Sequence, residues 1–218
     1  SDCSYREADL SRFLVEKEDY HGIRFSYKEY KNLRGSLAGE CQIANLATAL
    51  EVIRTLNALG ISVPETAVRK GLEETRWPGR FTFLMEHPVF LVDGAHNEDG
   101  VEKFVETAVH FQKDYPLTLL FSAVDDKDYT DMIRTILGKI SFHHVIVTQV
   151  GGYRKVPAEK LAEIFREKGC PTAEACEDVE EAFKKALAAK GEDGMLFCVG
   201  SLYLVGEIKT LILQGVGK

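Results

Sequence analysis

The pattern of apolar residues changes near residue 80, and the more regular part of the chain follows it. Residues 89–92 are an unbroken apolar run of strand length. From residue 101 the apolar positions recur at helical spacing, so a buried strand leads into a helix through residues 93–97. The alternation continues, with strands predicted at 117–121, 145–147, near 172 and 195–199, and helices predicted at 129–137, 157–168, 179–189 and 202–213.

Strands that alternate with helices favour an α/β fold with a mostly parallel sheet covered on both faces. We therefore predict a doubly wound, Rossmann-like domain after residue 80. Residues 81–84 have strand character and should pair with residues 89–92 across a turn. We also predict that strands 89–92 and 117–121 are neighbouring parallel strands.

The N-terminal part has a different pattern. Residues 23–27 alternate as in a strand, and residues 42–59 have helical spacing, with Gly60 placed to end the helix. A second helix is predicted from about residue 64 to residue 75. Trp77 to Arg80 interrupt the periodicity, so we predict two domains: residues 1–76 as an incomplete remnant and residues 77–218 as a complete domain.

Composition narrows the class of protein. Lys and Arg number 27 against 34 Asp and Glu, a net charge of −7, so no overall positive field attracts nucleic acid or anionic lipid. No apolar run approaches the roughly 18 residues that cross a membrane. The five cysteines are scattered without a metal-binding spacing, which indicates reduced thiols and a soluble, cytoplasmic protein. The chain starts in mid-pattern without a methionine, and we expect a fragment of a longer protein.

Polar turns follow several of the predicted strands. Asp93, His96 and Asn97 follow the first, and comparable turns begin at residues 122, 148 and 200. In open α/β sheets, ligands bind beyond the carboxyl ends of the strands, so these turns predict one crevice. A plainer interpretation stays open, in which each turn only caps a helix, with Asn97 or Asp99 as a cap and Gly94 forming the turn.

Several separated motifs, in this order, resemble the folylpolyglutamate synthase and dihydrofolate synthase branch of the Mur ligase superfamily. The resemblance extends over residues 37–209. The motifs that carry it are Leu37-Ala-Gly39-Glu-Cys41-Gln42-Ile-Ala-Asn45, Trp77-Pro-Gly79-Arg80, Asp93-Gly-Ala-His96-Asn97, Asp126-Lys127-Asp128 and Gly200-Ser-Leu-Tyr203.

The resemblance implies an ATP-dependent amide ligase. Such an enzyme converts the γ-carboxylate of a folate, or the carboxylate of dihydropteroate, into an acyl phosphate, which the amine of L-glutamate then attacks. Residues 1–76 would be the end of the central ATP-binding domain and residues 77–218 the C-terminal glutamate ligase domain. We expect a monomer whose remaining N-terminal portion supplies the phosphate-binding loop and the magnesium ligands, with no metal ligands in this chain.

The chain lacks the glycine-rich loop followed by Lys and Ser or Thr that cradles a triphosphate. By itself it should therefore not catalyse the reaction. Carried over by motif position, the resemblance assigns roles to six residues. Arg80 and His96 would be catalytic, with Arg80 at the ATP phosphates and His96 near the γ-phosphate and the incoming glutamate. Asn45 would contact the base, Asp93 the ribose, and Lys127 and Ser201 the amino acid.

The sequence departs from the pattern at two places, because Cys41 replaces the usual His and Phe81-Thr82 replaces an apolar residue followed by Glu. A rival hypothesis is a Rossmann-like module that binds a nucleotide or an amino acid without catalysis. A nicotinamide oxidoreductase is disfavoured, because no G-x-G-x-x-G follows a predicted strand.

Overall fold

The computed structural model describes residues 5–19, 22–37, 39, 41–77, 79, 81–85 and 89–216, without the side chain of Cys41. The chain divides into two compact units, Ser1–Trp77 and Pro78–Lys218.

The first unit combines a small antiparallel sheet with two helices. Strands β1 (Phe13–Asp19), β2 (Gly22–Tyr27) and β3 (Tyr30–Gly35) pair in that order. Helices α1 (Cys41–Ala58) and α2 (Glu65–Glu74) follow. The predicted helices and the alternating strand are confirmed. The core consists of apolar side chains from both layers, among them Ile23, Phe25, Leu33, Leu46, Leu50, Val68 and Leu72.

Helix α1 is fixed at two points. Gly60, with φ of +84°, ends it as predicted: the Gly60 and Ile61 N–H groups donate to the carbonyls of Asn57 and Leu56. In its middle, the carboxylate of Glu51 accepts hydrogen bonds from Tyr27, Lys28 and Arg54. Burial alone would raise the pKa of Glu51, but these donors lower it below its usual value. The carboxylate therefore stays charged and holds α1 against β2.

The second unit is a six-stranded sheet with helices on both faces. Its strands are β4 (Thr82–Met85), β5 (Val89–Val92), β6 (Leu117–Phe121), β7 (His144–Val147), β8 (Glu174–Ala175) and β9 (Met195–Val199). Its helices are α3 (Glu98–Ala108), α4 (Tyr129–Leu137), α5 (Ala158–Glu167), α6 (Val179–Lys190) and α7 (Leu202–Leu213). The strand order is β4-β5-β9-β6-β7-β8, and only β4 is antiparallel to its neighbour. The predicted α/β fold with a mostly parallel sheet is confirmed.

One prediction about the sheet is wrong. Strands β5 and β6 are not neighbours, because β9 lies between them and pairs in parallel with both. All five residues of β9 are buried, which suits a central position in a sheet covered on both sides. The apolar pattern identifies such a strand but does not encode its position in the order.

The side chains of β9 alternate between the two faces of the sheet. Leu196 and Cys198 pack in a cluster with residues of α6 and α7, including Phe183, Leu204 and Val205. Phe197 points to the opposite face, where its ring meets Phe104 of α3 edge-on at 5.4 Å between centroids. Among the described residues, no helix is long and apolar enough to cross a membrane.

Candidate functional site

The carboxyl ends of the central strands are joined by backbone hydrogen bonds. The Asp93 N–H donates to the Cys198 carbonyl at 2.9 Å, and the Gly200 N–H donates to the Ala95 carbonyl at 2.9 Å. The Ser122 N–H reaches the Val199 carbonyl at 3.4 Å, which joins the end of β6 to that of β9. The turns at residues 93, 122 and 200 therefore lie along one edge of the sheet, in the arrangement that the sequence predicts.

The Asp93 carboxylate organises the turn after β5. Its Oδ2 accepts a hydrogen bond from the Phe81 N–H at 2.7 Å, and its Oδ1 accepts one from the Ala95 N–H at 2.8 Å. Asp93 is buried, with only 6% of its surface exposed. Asp93 thus links the start of β4 to the end of β5, a structural role that the sequence reasoning did not assign.

A second hydrogen bond connects the same two segments. The Gly94 N–H donates to the Gly79 carbonyl at 2.6 Å. Arg80 itself lies outside the described residues, but its covalent neighbours Gly79 and Phe81 are both bonded to the turn after β5. The Trp77–Arg80 motif and the Asp93–Asn97 motif are therefore tied together physically, although they are separated in the sequence.

Phe81 has a backbone conformation that is rare for a residue with a side chain, with φ of +40°. This conformation explains why β4 begins at Thr82 and not at residue 81. The Asp93 carboxylate holds the Phe81 amide, while the ring packs among Phe104, Phe111 and Phe197. Strained backbone of this kind persists where the surrounding contacts impose it, and such positions cluster at functional sites.

His96 is half-buried and sits at the end of the same turn. Its Nδ1 lies 2.7 Å from the Gly94 carbonyl oxygen. Because a carbonyl only accepts hydrogen bonds, Nδ1 carries the proton in this arrangement and Nε2 is the nitrogen left for a ligand. The next residue, Asn97, caps α3 by accepting from the Gly100 N–H at 2.8 Å, so the plainer interpretation is correct for Asn97.

The turn between β9 and α7 requires a glycine. Gly200 has φ of +108°, and a Cβ at this position would lie 2.2 Å from the Ser122 carbonyl oxygen. Ser201 follows as the N-cap of α7, with its hydroxyl accepting from the Tyr203 N–H at 3.2 Å. Ser201 is only 2% exposed, and in the structure its hydroxyl serves as a helix cap. Its predicted contact with the amino acid stays a prediction.

Lys127 lies in a charged cluster at the same edge. Its Nζ is 3.7 Å from Asp126 Oδ2, and the same oxygen accepts from Arg154 Nη1 at 3.2 Å. Arg154 Nη2 also donates to the hydroxyl of Tyr203, and the guanidinium carbon lies 5.5 Å from the centre of the Tyr203 ring. The cluster joins the loop after β6, the loop after β7 and the first turn of α7.

The sequence reasoning gave no role to Arg154, Tyr203 or Ser122. The sequence predicts the turn after β7 only from its start at residue 148, although the glycine pair at 151–152 indicates a bend that brings later residues back to the sheet edge. The Ser122 hydroxyl is fully buried and has no hydrogen-bond partner within the described part of the chain. No sequence signal marks such a group, because its partners depend on the folded arrangement.

Asn45 belongs to the first unit. Its side chain is exposed and donates to Gln42 Oε1 at 3.1 Å on helix α1. Over the described residues of both units, no three side chains of His, Cys, Asp or Glu are grouped so that they could hold a metal ion.

Comparison with known proteins agrees with these motifs. The family described as "Mur ligase, glutamate ligase domain" matches residues 79–202, a range that runs from Gly79 through the Asp93 turn to Gly200 and Ser201. The chain belongs to the Mur ligase family. The resemblance noted from the motifs is thereby confirmed.

Relatives within this family carry folate-linked names. The dihydrofolate synthase/folylpolyglutamate synthase of Bacillus subtilis is 32% identical over 197 residues, which cover 86% of this chain and 44% of that protein. The folylpolyglutamate synthase of Lacticaseibacillus casei is 28% identical, covering 93% of this chain and 47% of its own length. The chain therefore spans about half the length of these curated relatives.

Solved structures of Mur ligase relatives match over nearly the whole chain. The folylpolyglutamate synthase of Thermotoga maritima has a TM-score of 0.78 and 30% identity, covering 93% of this chain and 46% of that one. The Mycobacterium tuberculosis folylpolyglutamate synthase complexed with ADP has a TM-score of 0.76 and 25% identity, covering 95% and 48%. The overlaid part is again about half of each relative.

Proposed function

We propose that this chain is the C-terminal part of an ATP-dependent ligase that adds L-glutamate to the γ-carboxylate of reduced folates. The observation that carries the proposal is the sheet edge on which the Gly79, Asp93 and Gly200 motifs are joined, within a match to the glutamate ligase domain. The folate-linked names of the relatives support the choice of substrate. Dihydropteroate as a second substrate belongs to the same proposal.

The proposed reaction has two steps. A carboxylate oxygen of the folate attacks the γ-phosphorus of ATP, which releases ADP and forms an acyl phosphate. The amine of L-glutamate then attacks the acyl carbon, loses a proton and expels inorganic phosphate. Both steps concentrate negative charge on phosphate oxygens, which a guanidinium can pair two at a time.

In this proposal Arg80 is the guanidinium that pairs with the ATP phosphates. The bonds from Gly79 and Phe81 to the turn after β5 support this role, because they fix both sides of residue 80. His96 is assigned to the γ-phosphate and the incoming amine through Nε2, the nitrogen that the Gly94 carbonyl leaves available. In the imidazolium form Nε2 would donate to a phosphate oxygen, and in the neutral form it would accept from the amine. Lys127 and Ser201 are assigned to the amino acid.

The remaining parts of the proposal concern the ATP base, the central domain and the groups that come from outside this chain. ATP would also use Asn45 for its base, and the phosphate-binding loop would come from an N-terminal portion of the same enzyme. Magnesium would neutralise charge on the ATP phosphates when bound. The described residues offer no grouped ligands for it, and no step here is assigned to the metal. Residues 1–76 would complete the central domain, and the enzyme would act as a cytoplasmic monomer.

A product assay tests the proposal. The full-length ligase, supplied with ATP, magnesium, L-glutamate and tetrahydrofolate, should form tetrahydrofolate extended by one glutamate, with one ADP released for each bond. Mass spectrometry of the folate measures the product. The 218-residue chain under the same conditions should give no product, because it lacks the phosphate-binding loop.

Two outcomes would contradict the proposal. A full-length protein that binds ATP or glutamate but extends neither tetrahydrofolate nor dihydropteroate would favour the non-catalytic binding module. The 218-residue chain could also form product after repurification has removed any contaminating ligase. That result would show that the phosphate-binding loop is not required, and the roles assigned to the two portions of the enzyme would be wrong.

A further inference from the structure

The three-stranded sheet of the first unit carries a row of cations on one face. Lys17 of β1 is paired directly opposite Arg24 of β2, and Arg24 is paired opposite Arg34 of β3. Residues paired in this way have their side chains on the same face of a sheet. Neighbouring strands are about 4.8 Å apart, so this cationic row crosses the three strands within roughly 10 Å.

A β-bulge turns Lys17 onto this face. Val15 lies opposite Phe25, whose side chain belongs to the core, and the register shifts between Val15 and Lys17. With regular alternation, Lys17 would point to the same side of the sheet as Val15. The extra residue in β1 instead places Lys17 opposite Arg24. Bulges re-aim side chains in this way and are common next to active sites.

The stability of the sheet does not explain the cationic row. Like charges directly opposite each other on paired strands are destabilising. The row contains two such pairs, in a protein whose net charge is −7. An anion bound along the row would remove the repulsion between these cations.

Two of the three cations are available to a ligand. Lys17 Nζ pairs with Asp19 Oδ2 at 2.7 Å. Arg24 and Arg34 are exposed, and neither forms an ion pair within the described part of the chain. Each guanidinium can therefore present its fork of donors to a carboxylate or a phosphate.

The cationic row borders a pocket of about 240 Å³. Among the described residues that line it, three are cationic and one, Asp19, is acidic. Pockets that enclose a whole small ligand have volumes of roughly 300–1,000 Å³, so this one suits a segment of a longer ligand. The strand that carries Lys17 is also tied to a family motif, because Glu18 Oε1 accepts from the Gly39 N–H at 3.2 Å.

The length of the row favours a chain with repeated anionic groups. A single carboxylate or phosphate can meet two adjacent cations but does not extend over roughly 10 Å. The proposed ligase reaction makes a ligand of the required kind, since each glutamate added through a γ-carboxylate leaves one free α-carboxylate. A folate that carries several glutamates therefore presents a line of carboxylates.

We propose that the cationic row binds the γ-linked oligoglutamate chain of polyglutamylated folates. The proposal rests on the ligase function proposed above, which supplies the ligand. The site consists of residues of the first unit alone and uses no residue of the sheet edge in the second unit.

A binding assay with the 218-residue chain tests the site. The probe is γ-linked pentaglutamate, titrated calorimetrically at low ionic strength, where exposed charges are least screened. Arg24→Gln combined with Arg34→Gln should raise the Kd by about 10- to 100-fold, because hydrogen bonds to charged groups are lost. In the wild type, γ-linked diglutamate should bind more weakly than pentaglutamate, since it meets only part of the row.

The matched control is Arg12→Gln combined with Arg76→Gln. It removes the same charge from exposed positions of the first unit outside the row, so the Kd should change by less than about threefold. Without ligand, Arg24→Gln should melt no lower than the wild type, because the substitution relieves a like-charge repulsion. This single variant decides the matter if the double variant does not fold.

The outcomes separate the site from the ligase function. An unchanged Kd in the folded double variant overturns the inference. Tripolyphosphate that binds the row as tightly as pentaglutamate also overturns it, because the ligand would then be a phosphate chain. Failure of the row to bind pentaglutamate leaves the ligase function standing, whereas a full-length protein that adds no glutamate overturns that function.

Discussion

Arg80→Ala in the full-length ligase should lower kcat by about a hundredfold or more and leave the fold intact. A positioned cation that acts mainly on the charge of the transition state contributes a few kcal/mol, and its loss appears in the rate constant. The hydrogen bonds of Gly79 and Phe81 to the turn after β5 involve main-chain groups of those residues, so an alanine at position 80 does not remove them. Steady-state kinetics with saturating ATP and glutamate, together with a thermal melt, provide the measurement.

Arg76→Ala is the matched control for Arg80→Ala. Arg76 is exposed and donates to the carbonyls of Glu73 and Thr75, so its substitution removes the same charge and only hydrogen bonds within the first unit. The control should retain normal kinetics. Near-normal kinetics for Arg80→Ala, with an unchanged melting temperature, would identify Arg80 as an ordinary surface arginine.

Asp93→Ala should destabilise the second unit by about 3 kcal/mol. The carboxylate accepts from the Phe81 and Ala95 N–H groups in a buried position, and hydrogen bonds to a charged acceptor contribute roughly 1.5–3 kcal/mol each. Phe81 would also lose the bond that helps to hold its positive φ. Urea unfolding of the 218-residue chain measures the change, and amide hydrogen exchange should accelerate at Phe81 and Ala95.

Two variants make this prediction specific. Asp93→Asn keeps one acceptor oxygen and should lose about half as much stability, whereas Asp125→Ala removes an exposed carboxylate of the same edge and should have little effect. If Asp93→Ala unfolds at the wild-type urea concentration, the two hydrogen bonds do not stabilise the turn.

In the full-length ligase, a raised KM for ATP in Asp93→Asn would support the ribose contact, and a lowered kcat would support a role through Arg80.

The elements of the second unit could be predicted from the sequence, because each follows from local periodicity. Helix α7 and strand β9 were predicted with the bounds that the structure has. The strand order could not be predicted in the same way. The insertion of β9 between β5 and β6 depends on which buried strand packs best in the middle of the sheet, and that is a property of the whole domain.

The candidate site was predictable only as a set of turns. Their position at one edge follows from the parallel sheet, and the Asp93 and Gly200 turns lie there. The cluster around Arg154 was not predictable, because it forms between a loop and a helix that are 49 residues apart in the sequence. The structural role of Asp93 was missed for a similar reason, since its partner Phe81 precedes the turn by a whole hairpin.

The central claim is that this chain belongs to a ligase that works through an acyl phosphate, and isotope transfer tests it most directly. A reduced folate labelled with ¹⁸O in both oxygens of its γ-carboxylate is incubated with the full-length ligase, ATP and L-glutamate. One labelled oxygen should leave with inorganic phosphate for each glutamate added, because amine attack breaks the carbon–oxygen bond of the acyl phosphate. Label in AMP, or product formed without label in phosphate, would contradict this account.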